Sequence, residues 1–285
     1  MGNNRDSLLT ISTFGNFNVK KGTNYLNQVR KKSSKSWKLF SYLITYRERN
    51  VSRDELISNL NLANNSDPEG SLSALVYRLR KQLKNDPNGR EYIKTSGTAY
   101  TFNLDADYWL DVEEVEKKCE KCREAAPTNP EQSYQLFKDI LNLYQGDYLE
   151  EFNTTEWIWN HRDQYKELVI TTLLNLNSKF KDEDKDLKLW QLYNKLQQRI
   201  NYDERLLKHS IEALIEVGRF SIAKQKLDEL LTMYEDNSLI IPASIRRLDK
   251  KISEKQFNSP EKIFDYDDSE ENLEGAYVCK NRSVF

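Results

Sequence analysis

SLSALVYRLRKQLKND, residues 71–86, has two chemically different sides. Leu72, Val76, Leu79 and Leu83 recur at helical steps, the stripe of a helix lying on a core. Ser73, Tyr77, Arg78, Arg80, Lys81 and Lys84 fall between them, and no acid appears before Asp86. If the leucine side is covered by the helix's own domain, the cationic side is left for a partner or for solvent.

The flanking segments say what kind of domain holds this helix. LLTIS (8–12) and FNVKK (17–21), split by Phe14-Gly15-Asn16, read as a short hairpin. Lys31 to Ser36 is a basic, serine-rich approach to the helix SWKLFSYLITYRER, which places Trp37, Phe40, Leu43 and Ile44 on one side. Ser52 caps a short helix from Arg53 to Leu60, with Glu55 at the capping-box position. A polar loop, Ala63 to Gly70, leads into the basic helix. YIKTS (92–96) and AYTFN (99–103), joined by Gly97-Thr98, form a second hairpin.

From residue 107 the strand signals end. Helical patterns follow at 110–124, 131–143, 155–180, 185–200, 203–217, 220–235 and 243–256. Paired helices joined by short turns are the pattern of helical-repeat stacks. In GRFSIA (218–223), Gly218 ends one helix, Phe220 fills the groove and Ala223 lets the next helix close in. That spelling resembles a tetratricopeptide turn. After residue 257 the chain becomes acidic and aperiodic, a linker, and then turns apolar again in NLEGAYVCKNRSVF (272–285).

Charge divides along the same line. The net charge of −2 hides 17 Lys and Arg against 10 Asp and Glu in residues 1–110, and 26 against 35 in residues 111–285. A basic front and an acidic back suggest that one part faces a polyanion. No apolar run reaches the length of a membrane span. MGNNRDSLLTIST lacks the basic and apolar regions of a signal peptide, and Asp6 stands where a myristoylation start has Ser or Thr. With three cysteines, an odd number, the expectation is a cytoplasmic protein without a disulfide framework.

Catalytic spellings are missing. Cys119-Glu-Lys-Cys122 is the one metal-like or redox-like run, but His161 and His209 lie in other helices and no second CxxC follows. Two ordinary helical cysteines fit better than a zinc or redox centre. Neither GxxxxGK[ST] nor GxGxxG nor GxSxG nor HExxH occurs. The Trp157-Ile158-Trp159 cluster reads as helix packing. The expectation is no enzyme, no metal and no cofactor.

The order of hairpin, helix, short helix, basic helix and hairpin is that of a winged helix-turn-helix, whose third helix enters the major groove. SLSALVYRLRKQL with IKTSGTAYTF resembles the recognition helix and wing of the OmpR/PhoB type. That resemblance puts Arg78 at a base edge and Tyr77, Arg80 and Lys81 near phosphates. Ser73 and Lys84 complete the polar side, and Lys94, Thr95, Ser96 and Thr98 fall on the wing. The wing departs from the pattern, being about one residue short and having Ser96 where Arg is frequent.

YQGDYLEEFNTTEWIWNHRDQYKEL (144–168) is similar to the opening of the bacterial transcriptional activator domain, and NYDERLLKHSIEALIEVGRFSIAKQKLDELL (201–231) to its later course. Together, over residues 8–256, the two parts resemble the SARP-type regulators. The expected fold is mainly α with a small α+β part. A winged helix-turn-helix (1–105) precedes an all-α, tetratricopeptide-like helical-repeat domain (106–257), and 258–285 form a linker and strip, the start of a further domain or a docking element. The resemblance implies sequence-specific binding of double-stranded DNA, activation of transcription, contact with RNA polymerase and a homodimer on repeated sites. The alternative is a helical-repeat scaffold whose basic front domain binds RNA or protein. The strand aromatics Tyr92, Tyr100 and Phe102 alternate as core residues do, against a single-strand RNA platform.

Overall fold

A computed structural model describes residues 8–27, 35–152, 156–180, 185–200 and 202–258. The basic approach at 31–34 and the linker and strip from 259 onward lie outside the described residues. The chain divides into two compact units, residues 1–210 and 211–285.

In the first unit, β1 (Leu9–Ser12) pairs antiparallel with β2 (Asn18–Lys21), Leu9 facing Lys21, and β2 continues to β3 (Asn24–Tyr25). Leu9, Ile11 and Val19 point into the core. Helix α1 (Lys35–Thr45) buries Trp37, Phe40, Leu43 and Ile44 as their spacing requires. It stops at Thr45, several residues short of the end that the periodicity suggested. β4 (Val51–Ser52) leads into α2 (Arg53–Asn59), where the Ser52 hydroxyl accepts the Glu55 N–H at 3.2 Å. The Glu55 carboxylate also receives Arg49 and the Tyr42 hydroxyl, besides the Ser52 backbone N–H that the capping box calls for.

Helix α3 (Pro68–Leu83) begins within the expected loop, because Asp67 caps it and Pro68 supplies its first turn. β5 (Ile93–Ser96) and β6 (Ala99–Phe102) form the second hairpin, and β4 pairs with β6.

One expectation fails at the junction. The strand signals do not end at 107: Tyr108–Leu110 form β7, parallel to β1, with Leu9 opposite Tyr108 and Ile11 opposite Leu110. Three residues are too few to display a period of two. The strand exists because β1 has an open edge that needs partners.

Beyond β7 come α4 (Asp111–Ala125), α5 (Pro130–Leu143), α6 (Glu156–Lys179), α7 (Lys185–Gln197) and α8 (Glu204–Glu216). The first of these share one apolar core with the winged helix, running without interruption from Leu9 to Leu206. YQGDYL (144–149) is the local reason. Gly15 (φ +73°) and Gly146 let two backbones meet, since a Cβ on Gly146 would stand 3.2 Å from the Gly15 Cα. Gly15 N–H donates to Asp147 O at 3.0 Å and Leu149 N–H to Thr13 O at 2.7 Å. The Phe14 ring meets Tyr144 at 4.9 Å and Tyr165 at 5.6 Å, and the Tyr148 hydroxyl lies 2.8 Å from Thr45 Oγ1.

Charge secures the same junction. Asp111 accepts the Thr13 N–H (2.5 Å), the Thr13 hydroxyl (2.7 Å) and the Phe14 N–H (3.0 Å). Arg47, only 7% exposed, donates to Glu113 and Glu116 at 2.9 Å each. Of the Trp157-Ile158-Trp159 cluster, Trp157 packs against Tyr42 at 4.7 Å and Ile158 is buried, but Trp159 is exposed and lines a cleft with Arg162 and Lys166, against the expectation of helix packing.

Half-buried His161 lies beside Tyr46 (5.4 Å) and lines a cleft with Arg47, Arg49, Glu48, Glu116 and Gln164. Burial first, and then the Arg47 charge, hold its imidazole below the ordinary histidine value. The folded state therefore binds fewer protons than the unfolded chain, and stability falls as pH drops below about 6.5. Melting temperature should decline over that window, and less so in His161→Gln. Identical declines in the two proteins would remove His161 from the account.

The second unit contains α9 (Phe220–Asp236) and α10 (Ala243–Asn258). Gly218 adopts φ +78°, and the Arg219 N–H reaches back to Leu214 O at 2.9 Å, a Schellman-type end. Phe220 and Ala223 are buried, as the GRFSIA spelling required. Glu216 binds Lys251 at 2.8 Å and also Lys255.

Candidate nucleic-acid interface

Helix α3 is built to present one side. Leu72, Leu75, Val76, Leu79 and Leu83 are buried. Ser73, Tyr77, Arg78, Lys81 and Lys84 are exposed, Tyr77 at 68%. The Asp67 carboxylate accepts the Gly70 N–H at 2.9 Å. A Cβ on Gly70 would fall 2.0 Å from that carboxylate, so the cap depends on glycine there. At the far end Lys84 takes φ +54°, a left-handed conformation for a side chain that glycine would adopt more cheaply. Lys21 Nζ donates to Asn85 O at 2.5 Å just past the helix, placing a cation at its negative end. Burial first, then the neighbouring Lys84 charge, hold that ammonium below its ordinary value.

Arg78 is exposed, and its Nε donates to Ala74 O of the same helix at 3.1 Å. The Tyr77 and Lys81 side chains stand on the same exposed side, and no carboxylate interrupts it between Ser73 and Lys84. Arg80 is placed differently from its neighbours. Its guanidinium donates to Ile93 O (3.1 and 2.9 Å) and to Thr95 Oγ1 (2.9 Å), with Glu91 at 3.5 Å.

On the wing, Lys94 is held by Asp105 at 2.6 Å and Thr95 by Arg80. Ser96 and Thr98 are exposed at the tip around Gly97 (φ +58°). The structure thus exposes Ser73, Tyr77, Arg78, Lys81 and Lys84 on α3, while Arg80 is bonded to β5 and exposed Lys94 and Thr95 are bonded to Asp105 and Arg80.

Two cations were not singled out by sequence. Lys35, at the start of α1, lines a cleft of about 410 Å³ with Asp67, Ala74 and Arg78. Arg53, at the start of α2, donates its backbone N–H to Thr98 O at 3.3 Å and lies over the Tyr100 ring. Lys35 belongs to the basic run at 31–36, which was the available signal. Nothing local in the sequence marks Arg53, because the wing that it meets arrives from 45 residues away.

Cys119 and Cys122 are fully buried. Burial pushes the Cys119 thiol up to about 12 and raises Cys122 as well, so neither is a ready nucleophile. Among the described residues no group of His, Cys, Asp and Glu could hold a metal ion, and no helix is long and apolar enough to cross a membrane.

Comparison with known proteins bears on the two parts of the chain. The family described as "Transcriptional regulatory protein, C terminal" matches residues 27–102, and "Bacterial transcriptional activator domain" matches residues 110–252. No curated protein matches. A solved structure, "Mycobacterium tuberculosis EmbR in complex with low affinity phosphopeptide", has a TM-score of 0.65 at 20% identity, over 87% of this chain. The chain spans 65% of that protein's length, and the likeness is one of fold. With an OmpR/PhoB-type winged helix joined to a bacterial transcriptional activator domain that covers half of its residues, the chain belongs to the SARP-type transcriptional regulators, a DNA-binding family rather than an enzyme family.

Proposed function

We propose that this regulator reads double-stranded DNA with α3 in the major groove. Arg78 meets a base edge, and Ser73, Tyr77, Lys81 and Lys84 lie along phosphates. The wing residues Lys94, Thr95, Ser96 and Thr98 approach the flanking backbone, Arg80 among them through its hold on β5. The single observation that supports this reading most is the exposed side of α3, which carries Tyr77, Arg78, Lys81 and Lys84 with no acid between Ser73 and Lys84, over a leucine side that is buried. Phosphate neutralisation supplies affinity and the base-edge contact supplies sequence choice.

Residues 1–105 and 106–257 are proposed as the DNA-binding and activator parts of one working body in the cytoplasm. The helical part holds protomers side by side on repeated sites and contacts RNA polymerase, so that binding activates transcription. Family membership supports this half of the reading.

Because the winged helix shares its core with the helices that follow, the test uses the whole chain. Bound fragments are selected from a random duplex pool, and the enriched site is titrated at two salt concentrations beside single-stranded RNA. Affinity for the duplex should fall about tenfold or more over a few-fold rise in salt. Binding that ignores salt, or prefers RNA, would overturn the assignment.

A further inference from the structure

Whereas the Arg78 guanidinium bonds back to its own helix, Arg80 bonds to a different element of the domain. It bridges from α3 to the wing, donating through Nε and Nη2 to Ile93 O at 3.1 and 2.9 Å and through Nη2 to Thr95 Oγ1 at 2.9 Å. Glu91, 3.5 Å away, adds a carboxylate on the same strand side. Arg78 bonds back to its own helix, and Lys81 and Lys84 are exposed. A fork donating to a carbonyl and a hydroxyl at once fixes direction as well as distance, which a lone ammonium does not do.

The wing gives this geometry a purpose. Its tip, Ser96-Gly97-Thr98, has no cation, and Lys94 is held by Asp105. What the tip can offer a backbone is hydroxyl and N–H groups, which work only within about 3 Å of an oxygen. Long cationic side chains tolerate misplacement, but these short groups do not. We propose that Arg80 is a positioning residue of the DNA-binding surface, which locks the wing to the recognition helix so that Ser96 and Thr98 and the α3 cations meet the duplex in a single register. This rests on the DNA-binding reading above.

The test separates a phosphate contact from a positioning role. Amide hydrogen exchange over residues 93–101 is measured in the DNA-free full chain for wild type, Arg80→Ala, Arg80→Lys and Thr95→Val, and each protein is titrated with its selected duplex across salt. In Arg80→Ala and Arg80→Lys the wing amides should exchange faster while α5 and α6 stay protected. Specific affinity should drop several-fold with the salt slope close to wild type. Thr95→Val should shift exchange and affinity the same way by less, although it removes no charge.

A phosphate contact would instead lower the slope by about one unit in Arg80→Ala, recover it in Arg80→Lys and leave wing exchange unchanged. That pattern overturns the proposal. If the wild type binds no duplex, the DNA-binding reading fails and takes the role of Arg80 with it. Exchange in the free protein then still reports whether Arg80 holds the wing.

Discussion

Asp111→Ala should be among the most destabilising single substitutions in the chain, by about 3 kcal/mol or more in urea unfolding. The carboxylate accepts the N–H groups of Thr13 and Phe14 and the Thr13 hydroxyl, all buried, and also the N–H of Val112. Alanine leaves two buried backbone donors, the Thr13 and Phe14 N–H groups, without their acceptor, at about 1–3 kcal/mol each. Burial raises this carboxyl above its ordinary value, against the pull of those donors, so the site tolerates the charge only because they converge on it. Asp111→Asn keeps the shape but turns an amide nitrogen toward N–H groups, and should recover only part of the loss. Exposed Lys117→Ala on the same helix should stay within about 0.5 kcal/mol. An Asp111→Ala protein as stable as Lys117→Ala would mean that the winged helix is not fastened to the helical part in this way.

Arg78→Ala should separate reading from folding. The side chain is exposed, with a hydrogen bond to Ala74 O of its own helix, so its loss should cost at most about 0.5 kcal/mol of stability. A bidentate arginine at a guanine contributes about 1–3 kcal/mol of discrimination, so specific binding should weaken and the choice at one base pair should relax. Lys81→Ala should weaken all duplexes alike and reduce the salt slope by about one unit. Leu79→Ala, at a fully buried position, should cost about 2–5 kcal/mol of stability first. Melting curves and binding to selected and random duplexes are measured for all three. An Arg78→Ala protein that melts like Leu79→Ala, or binds its selected site as wild type does, would remove Arg78 from the recognition surface.

Helix α3 was legible because its information is local. A stripe at helical steps with cations between the leucines is enough to say which side is buried, and the structure buries all of that stripe. Gly218-Arg219-Phe220 announced a helix end for the same reason, since a left-handed turn needs glycine within a residue or two of where it occurs. The start of α3 was placed late. Pro68 and Gly70 read as loop residues, yet with Asp67 they form a cap and a first turn.

What stayed hidden depends on partners far along the chain. β7 is a strand only because the open edge of β1, about a hundred residues earlier, accepts it. YQGDYL had the spelling of a family motif, but its work in joining two backbones needs Gly15 and Thr13 on the other side. Arg80 looked like its neighbours Arg78 and Lys81, and the fold alone, by bringing Ile93 and Thr95 within 3 Å, separated it from them. The sequence by itself determined the helices, their buried sides and the cationic side of α3, because period and charge are properties of one segment. Only the tertiary structure decided which cations remain free for a partner and how the winged helix is fastened, because a hydrogen bond has a range of about 3 Å and its two ends can lie anywhere in the chain.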